Sequence, residues 1–123
     1  MALVLCTGVD PILLETRRLL LERAGHAVTA IRDERELTAA CQKTHFEVAV
    51  IGQGVTPKMK RVIASRIREH CPSARILELY SPHQGKSLDD ADSWMEVPAD
   101  VPGQLAQRVS ELAAQDWHDE ASA

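Results

Sequence analysis

The residues best suited to chemistry lie in a glycine-containing loop near the middle of the chain. Gly52-Gln53-Gly54 follows an apolar run and precedes a helical pattern, as a loop that binds phosphate through its backbone N–H groups would. This loop lacks the Lys-Ser/Thr pair of a Walker loop and the third spaced glycine of a dinucleotide-binding fingerprint. We therefore interpret it as a turn. An anion or small ligand contacted by Gln53, Thr56 and Ser81 is the alternative.

Two further side chains have a spacing that metal sites use. Cys41 and His45 lie four residues apart near the end of a predicted helix, so both could face one metal ion. No second pair of ligands accompanies them, and we predict a buried thiol, a surface imidazole and no metal. Cys6, Cys41 and Cys71 are odd in number and fall in different predicted elements, which favours reduced thiols over a disulfide.

Apolar runs and helical patterns alternate along the whole chain. The predicted strands are residues 2–6, 27–31, 46–51, 74–80 and 93–97. The predicted helices are residues 11–24, 33–43, 57–70 and 101–115, with a short fourth helix at 87–91 before the last of them. Alternation of this kind predicts a doubly wound parallel sheet with helices on both faces. Five strands in this length favour the flavodoxin-like α/β order 2-1-3-4-5, with a shortened fourth helix.

Capping residues mark the ends of the first two helices. Asp10 can accept hydrogen bonds from exposed N–H groups while Pro11 takes the first helical position, and Gly25 ends the helix. Asp33 with Glu36 three residues later resembles a capping box. The apolar face of the first helix is predicted to include Leu13, Leu14, Leu20 and Leu21.

Length and composition indicate an ordinary globular domain. The chain has 123 residues, of which 45% are hydrophobic and 26% are charged, and its net charge is −4. We expect one domain over residues 1–116 and a polar tail over 117–123. A net negative charge argues against nucleic acid and anionic membranes as partners. No apolar run is long enough for a signal peptide or a membrane span, so we expect a cytoplasmic protein.

Several segments together resemble the receiver (CheY-like) domain of response regulators. Residues 3–11 and 19–28 resemble its opening, in which a hydrophobic strand leads into acids, a proline and a helix that ends at a glycine. Residues 46–51 resemble its third strand, and Val97-Pro98 resembles its final Lys-Pro step. The resemblance covers nearly the whole chain and implies the same five-stranded fold.

The resemblance also implies which residues should do chemistry. In a working receiver two acids after the first strand hold Mg²⁺, an aspartate after the third strand accepts the phosphoryl group, and a lysine precedes the final proline. The acid pair, the acceptor and the lysine are replaced here by Gly8, Val9, Gly52 and Val97. None of these residues can perform the family role. The resemblance therefore implies a degenerate pseudo-receiver without a phosphoacceptor.

Asp10 and the residues at the end of the fourth strand take two other positions of the family site. Asp10 is the acid that survives near the first strand, and we predict that it caps the first helix. The hydroxyl expected after the fourth strand falls on Leu79 or Tyr80, with Ser81 close by. One carboxylate without an acceptor cannot assemble a metal-phosphoryl site.

The functional expectation is a phosphorylation-independent signalling module of a bacterial two-component type. With no output domain in the sequence, we expect it to act through an unidentified signalling protein, with a homodimer as an open alternative. A sensor of a small ligand or anion, bound at the loops after the first and third strands, is the second hypothesis. We expect no enzyme, because no nucleophile and base stand together at the strand ends, and no cofactor.

The remaining charged and aromatic residues have plain structural interpretations. The basic residues of the third helix are predicted to face mainly outward: Lys58, Lys60, Arg61, Arg66 and Arg68. Trp94 is assigned to the core and Trp117 to the tail. In the receiver family the fourth helix, the fifth strand and the fifth helix form the surface that binds partners, and the short fourth helix predicts that this surface is remodelled here.

Overall fold

The computed structural model describes residues 1–98 and 103–122, and side chains for 1–98 and 103–114. The described residues form five strands and four helices. These are β1 (Leu3–Thr7), α1 (Pro11–Arg23), β2 (Ala27–Ile31), α2 (Glu34–Lys43), β3 (Val48–Ile51), α3 (Pro57–His70), β4 (Arg75–Tyr80), β5 (Ser93–Glu96) and α4 (Gln104–Ser122). The predicted strands and the first three helices are confirmed, with boundaries that differ by a residue or two.

All five strands pair in parallel, in the order β2-β1-β3-β4-β5. This confirms the flavodoxin-like fold class. Helices α2 and α3 pack against each other on one face of the sheet, and α1 contacts α4 on the other face. Parallel strands place their carboxyl ends at one edge, so the segments that follow β1, β3, β4 and β5 meet there.

The core consists of two apolar clusters, one on each face of the sheet. Leu5, Ala49 and Ile76 pack beneath α2 and α3, whereas Val4, Val50 and Leu77 pack beneath α1 and α4. Strand β3 contributes to both clusters and is buried along its whole length. This burial explains why the strand appears in the sequence as an uninterrupted apolar run.

Hydrogen bonds from side chains fix where the helices begin. Asp10 Oδ1 accepts from the backbone N–H groups of Ile12 at 2.9 Å and of Leu13 at 3.3 Å, which confirms the predicted cap. Asp33 also caps α2 as predicted, since its Oδ1 accepts from the N–H of Glu36 at 2.9 Å, while Glu36 Oε1 accepts from the N–H of Arg32 rather than from that of Asp33 as in a full capping box.

The segment between β4 and β5 differs from prediction. Residues 81–92, which the structure describes throughout, form turns, bends and irregular backbone, and no helix occupies 87–91. The carboxylate of Glu78 instead accepts from the N–H groups of Ser87 and Leu88, so these residues are held by β4. The last helix continues past the predicted end at residue 115 to Ser122, and its predicted first residues, 101 and 102, lie outside the described residues.

The prediction of three reduced cysteines was wrong. Cys41 and Cys71 form a disulfide, with their Cα atoms 5.6 Å apart. The two residues belong to different elements, but α2 and α3 lie side by side, and both cysteines face the cluster beneath these helices. Separation along the sequence therefore said little about their distance in space. Cys6 is a free, buried thiol.

Candidate functional site at the carboxyl edge of the sheet

The ends of β1 and β3 are joined directly by backbone and side-chain hydrogen bonds. The N–H of Gly52 donates to the carbonyl of Thr7 at 3.0 Å, and Thr7 Oγ1 donates to the carbonyl of Val50 at 3.1 Å. The space left between these ends is about 20 Å³, and its lining includes Gly8 and Gly52. A cavity of this size holds about one water molecule. It has no room for a metal ion together with a phosphoryl group.

The guanidinium of Arg17 fills the corner beside Gly52. Arg17 lies on α1, is only 7% exposed, and its Nη1 is 3.1 Å from the point where a side chain on residue 52 would begin. Its Nη2 donates to Oε1 of Gln53. Arg17 also lines a second cavity of about 290 Å³ together with Val97. One guanidinium thus lies between two positions that the receiver resemblance assigns to the acceptor and the lysine.

The electrostatics of this corner are those of a buried cation. Burial lowers the pKa of Arg17, while the nearby Cys6 and Asp10 favour its charged form. Guanidinium groups stay protonated in proteins even so. Burial also raises the pKa of the Cys6 thiol to about 11, against an opposing effect of the Arg17 charge. Among the described residues, Arg17 is hydrogen-bonded to an amide and to no carboxylate.

Sequence reasoning missed Arg17, although a signal for it exists. Leu14, Arg17 and Leu21 are the buried residues of α1, and they follow the three- and four-residue spacing of a helix face. The signal is an arginine at a position where the helical spacing of Leu14 and Leu21 predicts a side chain that faces the core. Leu20, which was predicted to face inward, is 39% exposed.

The three residues predicted to contact a ligand are engaged within the protein. Gln53 accepts from Arg17, and Thr56 Oγ1 accepts from the N–H of Met59 at 3.2 Å, which caps α3. Ser81 Oγ accepts from the N–H of Gln84 at 3.4 Å in the turn after β4. The structure therefore places Gln53 in the filled corner, the Thr56 hydroxyl in a helix cap and the Ser81 hydroxyl in a turn.

A second buried cation lies near the end of β4, on the opposite face of the sheet. Lys60 was predicted to face outward, but it is fully buried and its Nζ donates to Glu78 Oε2 and to the carbonyl of Leu79, both at 2.8 Å. Lys60 lies on the same helical stripe as Ile63 and Ile67, which explains why α3 turns it inward. The other basic residues of α3 named above are exposed.

The segment of residues 81–92 covers the face of β4 and β5 that looks toward α3. Leu88 is buried in the core, and its carbonyl accepts from Trp94 Nε1 at 2.8 Å. The ammonium of Lys86 lies 5.0 Å from the Trp94 ring centre and 5.8 Å from that of Tyr80. Trp94 is half-buried and packs against the core, whereas the side chain of Trp117 lies outside the described residues.

A larger cavity adjoins the filled corner, with which it shares Gly8 and Val9. It measures about 490 Å³ and opens between the loop after β1, the start of α2 and the first turns of α3. Its lining includes Val9 and residues 31–35, and it excludes Arg17 and Gly52. Within the described part of the chain, no group of three or more His, Cys, Asp or Glu side chains is placed to hold a metal ion.

Comparison with known proteins identifies the fold. No family model and no curated protein matches the sequence. Among solved structures, an adenylate cyclase from Rhodopirellula baltica superposes with a TM-score of 0.83 at 16% identity, over 98% of this chain and 93% of that chain. A response regulator receiver domain protein from Clostridium thermocellum gives 0.73 at 17% identity, over 94% and 96%. A chemotaxis response regulator of Vibrio cholerae gives 0.70 at 24% identity, over 91% and 98%.

The chain thus has the fold of response-regulator receiver domains. The superpositions cover more than nine-tenths of this chain and of each of these three chains. At such low sequence identity the likeness establishes the fold, while function has to be argued from the site. No helix that the structure describes combines the length and the apolar character that a membrane crossing requires.

Proposed function

We propose that this protein is a receiver-like signalling module that works without phosphorylation and acts by binding a partner protein. The observation that carries the proposal is the Arg17 guanidinium in the corner between β1 and β3. In a working receiver this corner must admit Mg²⁺ and a phosphoryl group beside an aspartate. Here a permanent internal cation lies beside Gly52, and the remaining space of about 20 Å³ has no room for the metal ion and the phosphoryl group together.

The chemistry of the surrounding residues supports the same proposal. Phosphoryl transfer to protein needs a nucleophilic carboxylate and a metal that neutralises the developing charge. Gly8, Val9 and Gly52 supply neither, and the Asp10 carboxylate is held by two backbone N–H groups of α1. The module is a pseudo-receiver whose acceptor position carries no nucleophile.

The region after β4 supports a fixed rather than a switched surface. Glu78 holds the N–H groups of Ser87 and Leu88, and Lys60 holds Glu78, so residues 81–92 are anchored from inside the core. We propose that the surface formed by this segment and β5 is in one state at all times. Its partner is a signalling protein of the same regulatory system, or a second copy of the chain.

The test is exposure to a small phosphoryl donor. After incubation with acetyl phosphate and Mg²⁺, intact-protein mass spectrometry is expected to show no phosphorylated species. Analytical ultracentrifugation is expected to give the same oligomeric state before and after. An adduct carrying one phosphoryl group would overturn the proposal.

An Asp10→Ser variant serves as the matched control. Serine caps helices about as well as aspartate, so the fold is retained while the carboxylate nearest the corner is removed. Neither the variant nor the natural chain is expected to give a species heavier by one phosphoryl group. A phosphoryl adduct that disappears in the variant would show that Asp10 acts as an acceptor, against the proposal.

A further inference from the structure

The cavity of about 490 Å³ has the size and lining of a small-molecule site. Binding sites for small ligands typically measure roughly 300–1,000 Å³ and are lined mainly by apolar groups. The apolar side chains around this cavity are Val9, Ile31, Val55, Met59 and Ile63. They come from β2, the segments after β1 and β3, and α3, so a bound molecule would touch several separate parts of the chain.

The mouth of the cavity leaves apolar surface in contact with water. Val9 is 57% exposed and Met59 is 40% exposed, and they are two of the six large hydrophobic residues that are exposed in the described part of the chain. Burial of apolar surface is worth about 25 cal/mol per Å². An apolar ligand that covers these two side chains would therefore be stabilised by the same effect that holds the core together.

The acidic residues at the rim are already engaged. Asp33 caps α2, as described above, and Glu34 Oε2 lies 3.3 Å from Arg66 Nε. Glu36, which lies beside the rim, accepts from the backbone N–H of Arg32 at 3.1 Å. Glu34 is therefore paired with a cation, and the other two carboxylates are held by backbone N–H groups.

The two arginines of the rim are not engaged in this way. Arg32 and Arg35 line the cavity and are exposed, and neither guanidinium forms an ion pair with any described residue. Guanidinium groups bind carboxylates through paired N–H donors. The rim thus offers donors for one anionic head group above an apolar interior.

We propose that this cavity binds a medium-chain carboxylic acid. Its alkyl chain would lie among Ile31, Val55 and Ile63, and its carboxylate would meet Arg32 and Arg35. The inference goes beyond the proposed function, because that function depends on the filled corner at Arg17 and requires no ligand. The partner-binding module would then also carry a site for an amphiphilic acid.

The test is an NMR titration of the full chain with decanoate, below the concentration at which decanoate forms micelles. Saturable shifts are expected at the methyl groups of Val9, Ile31, Met59 and Ile63. Decanol, which has the same chain and no charge, is expected to bind about tenfold more weakly, as two exposed ion pairs allow. An Arg32→Gln/Arg35→Gln variant is expected to remove this preference.

A blocking variant and its control separate the cavity from general hydrophobic binding. Val9→Trp places a large ring at the mouth and is expected to weaken decanoate binding at least about tenfold. Ile12→Trp adds the same ring at a residue that is 79% exposed and outside the cavity lining, and it is expected to bind decanoate like the natural chain.

Several results would overturn the inference while leaving the proposed function intact. These are the lack of saturable shifts at millimolar decanoate, equal affinity for decanoate and decanol, and unchanged binding in Val9→Trp. Shifts at Val9 and Met59 that depend on protein concentration alone would also contradict it, because they would show a second copy of the chain at the mouth.

Discussion

Two buried cations lie on opposite faces of the same sheet, and their partners differ. Lys60 is fully buried against a carboxylate, Glu78, which in turn holds the backbone of residues 87 and 88. Arg17 is buried against an amide, Gln53, beside the position that the receiver resemblance assigns to the phosphoacceptor. The first is an internal ion pair that fixes a segment. The second is a cation that lies near Asp10 but is hydrogen-bonded to no carboxylate among the described residues, and it occupies a corner.

This difference shows how similar residues can have different energetic roles. Removing one member of a buried ion pair leaves the other charge buried without a partner. Removing a cation that is bound only to an amide leaves no charge behind. The two sites should therefore respond very differently to the same substitution.

The largest effect is expected for Lys60→Met. The substitution leaves the Glu78 carboxylate at 0% exposure without its cation, and the free energy of unfolding should fall by about 3–5 kcal/mol. Urea denaturation followed by circular dichroism measures it. Lys58→Met, on the exposed side of the same helix, is the control and should change stability by less than about 0.5 kcal/mol. Similar losses for both variants would contradict the buried ion pair.

A smaller effect is expected for Gly52→Ala. The added Cβ would lie 3.0 Å from the carbonyl oxygen of Thr7 and 3.1 Å from Arg17 Nη1, so stability should fall by about 1–3 kcal/mol. Gly54→Ala is the matched control, because its Cβ would lie 3.3 Å from the exposed Val9 side chain, which can move. Equal melting temperatures for the two variants would show that the corner is looser than described.

Arg17→Met sharpens the comparison with Lys60→Met. Methionine keeps much of the volume, no charge is left unpaired, and the half-buried Gln53 can turn toward water. The free energy of unfolding should therefore change by about 1 kcal/mol or less. A loss of about 3 kcal/mol in the same urea experiment would mean that Arg17 has a charged partner, and the contrast would fail.

The smallest expected effect is on the Cys6 thiol, which lies beside Arg17. Its pKa is raised to about 11 by burial, so the folded protein should react very slowly with a disulfide reagent at pH 8. In Arg17→Met the reaction should be slower still, because the positive charge that favours the thiolate is lost. Faster reaction in the variant would contradict this electrostatic description.

The same reagent counts the thiols of the unfolded chain. Cys41 and Cys71 are joined, so the unfolded and unreduced protein should show one reactive thiol, that of Cys6. Full reduction should then show all three. Three thiols before reduction would contradict the disulfide.

The fold was predictable because its signals are repeated along the chain. Apolar runs, Asp10 and Asp33 at helix starts and the regular alternation of elements all point to one architecture. The absence of the helix predicted at 87–91 could not be foreseen, because the contacts of this segment to Glu78 arise only in the folded state.

The site was harder to predict because the residues that contact each other there are far apart in the sequence. Gly52 and Val97 take the positions that the receiver resemblance assigns to the acceptor and the lysine, but they do not show what fills the corner. Arg17 is separated from Gln53 by 36 residues, and Lys60 from Glu78 by 18. Both cations do fall on apolar helical stripes, which is a local signal that could have drawn attention to them.

The most direct test of the filled corner is an amide NMR titration with Mg²⁺ and beryllofluoride, which mimics a phosphoryl group. Resonances of Gly8, Gly52 and Trp94 report on the corner and on the fifth strand. None of these resonances is expected to shift, because the Arg17 guanidinium already occupies the place where the mimic would bind. Saturable shifts at Gly8 and Gly52 would contradict it and show that an anion or phosphoryl site persists between β1 and β3.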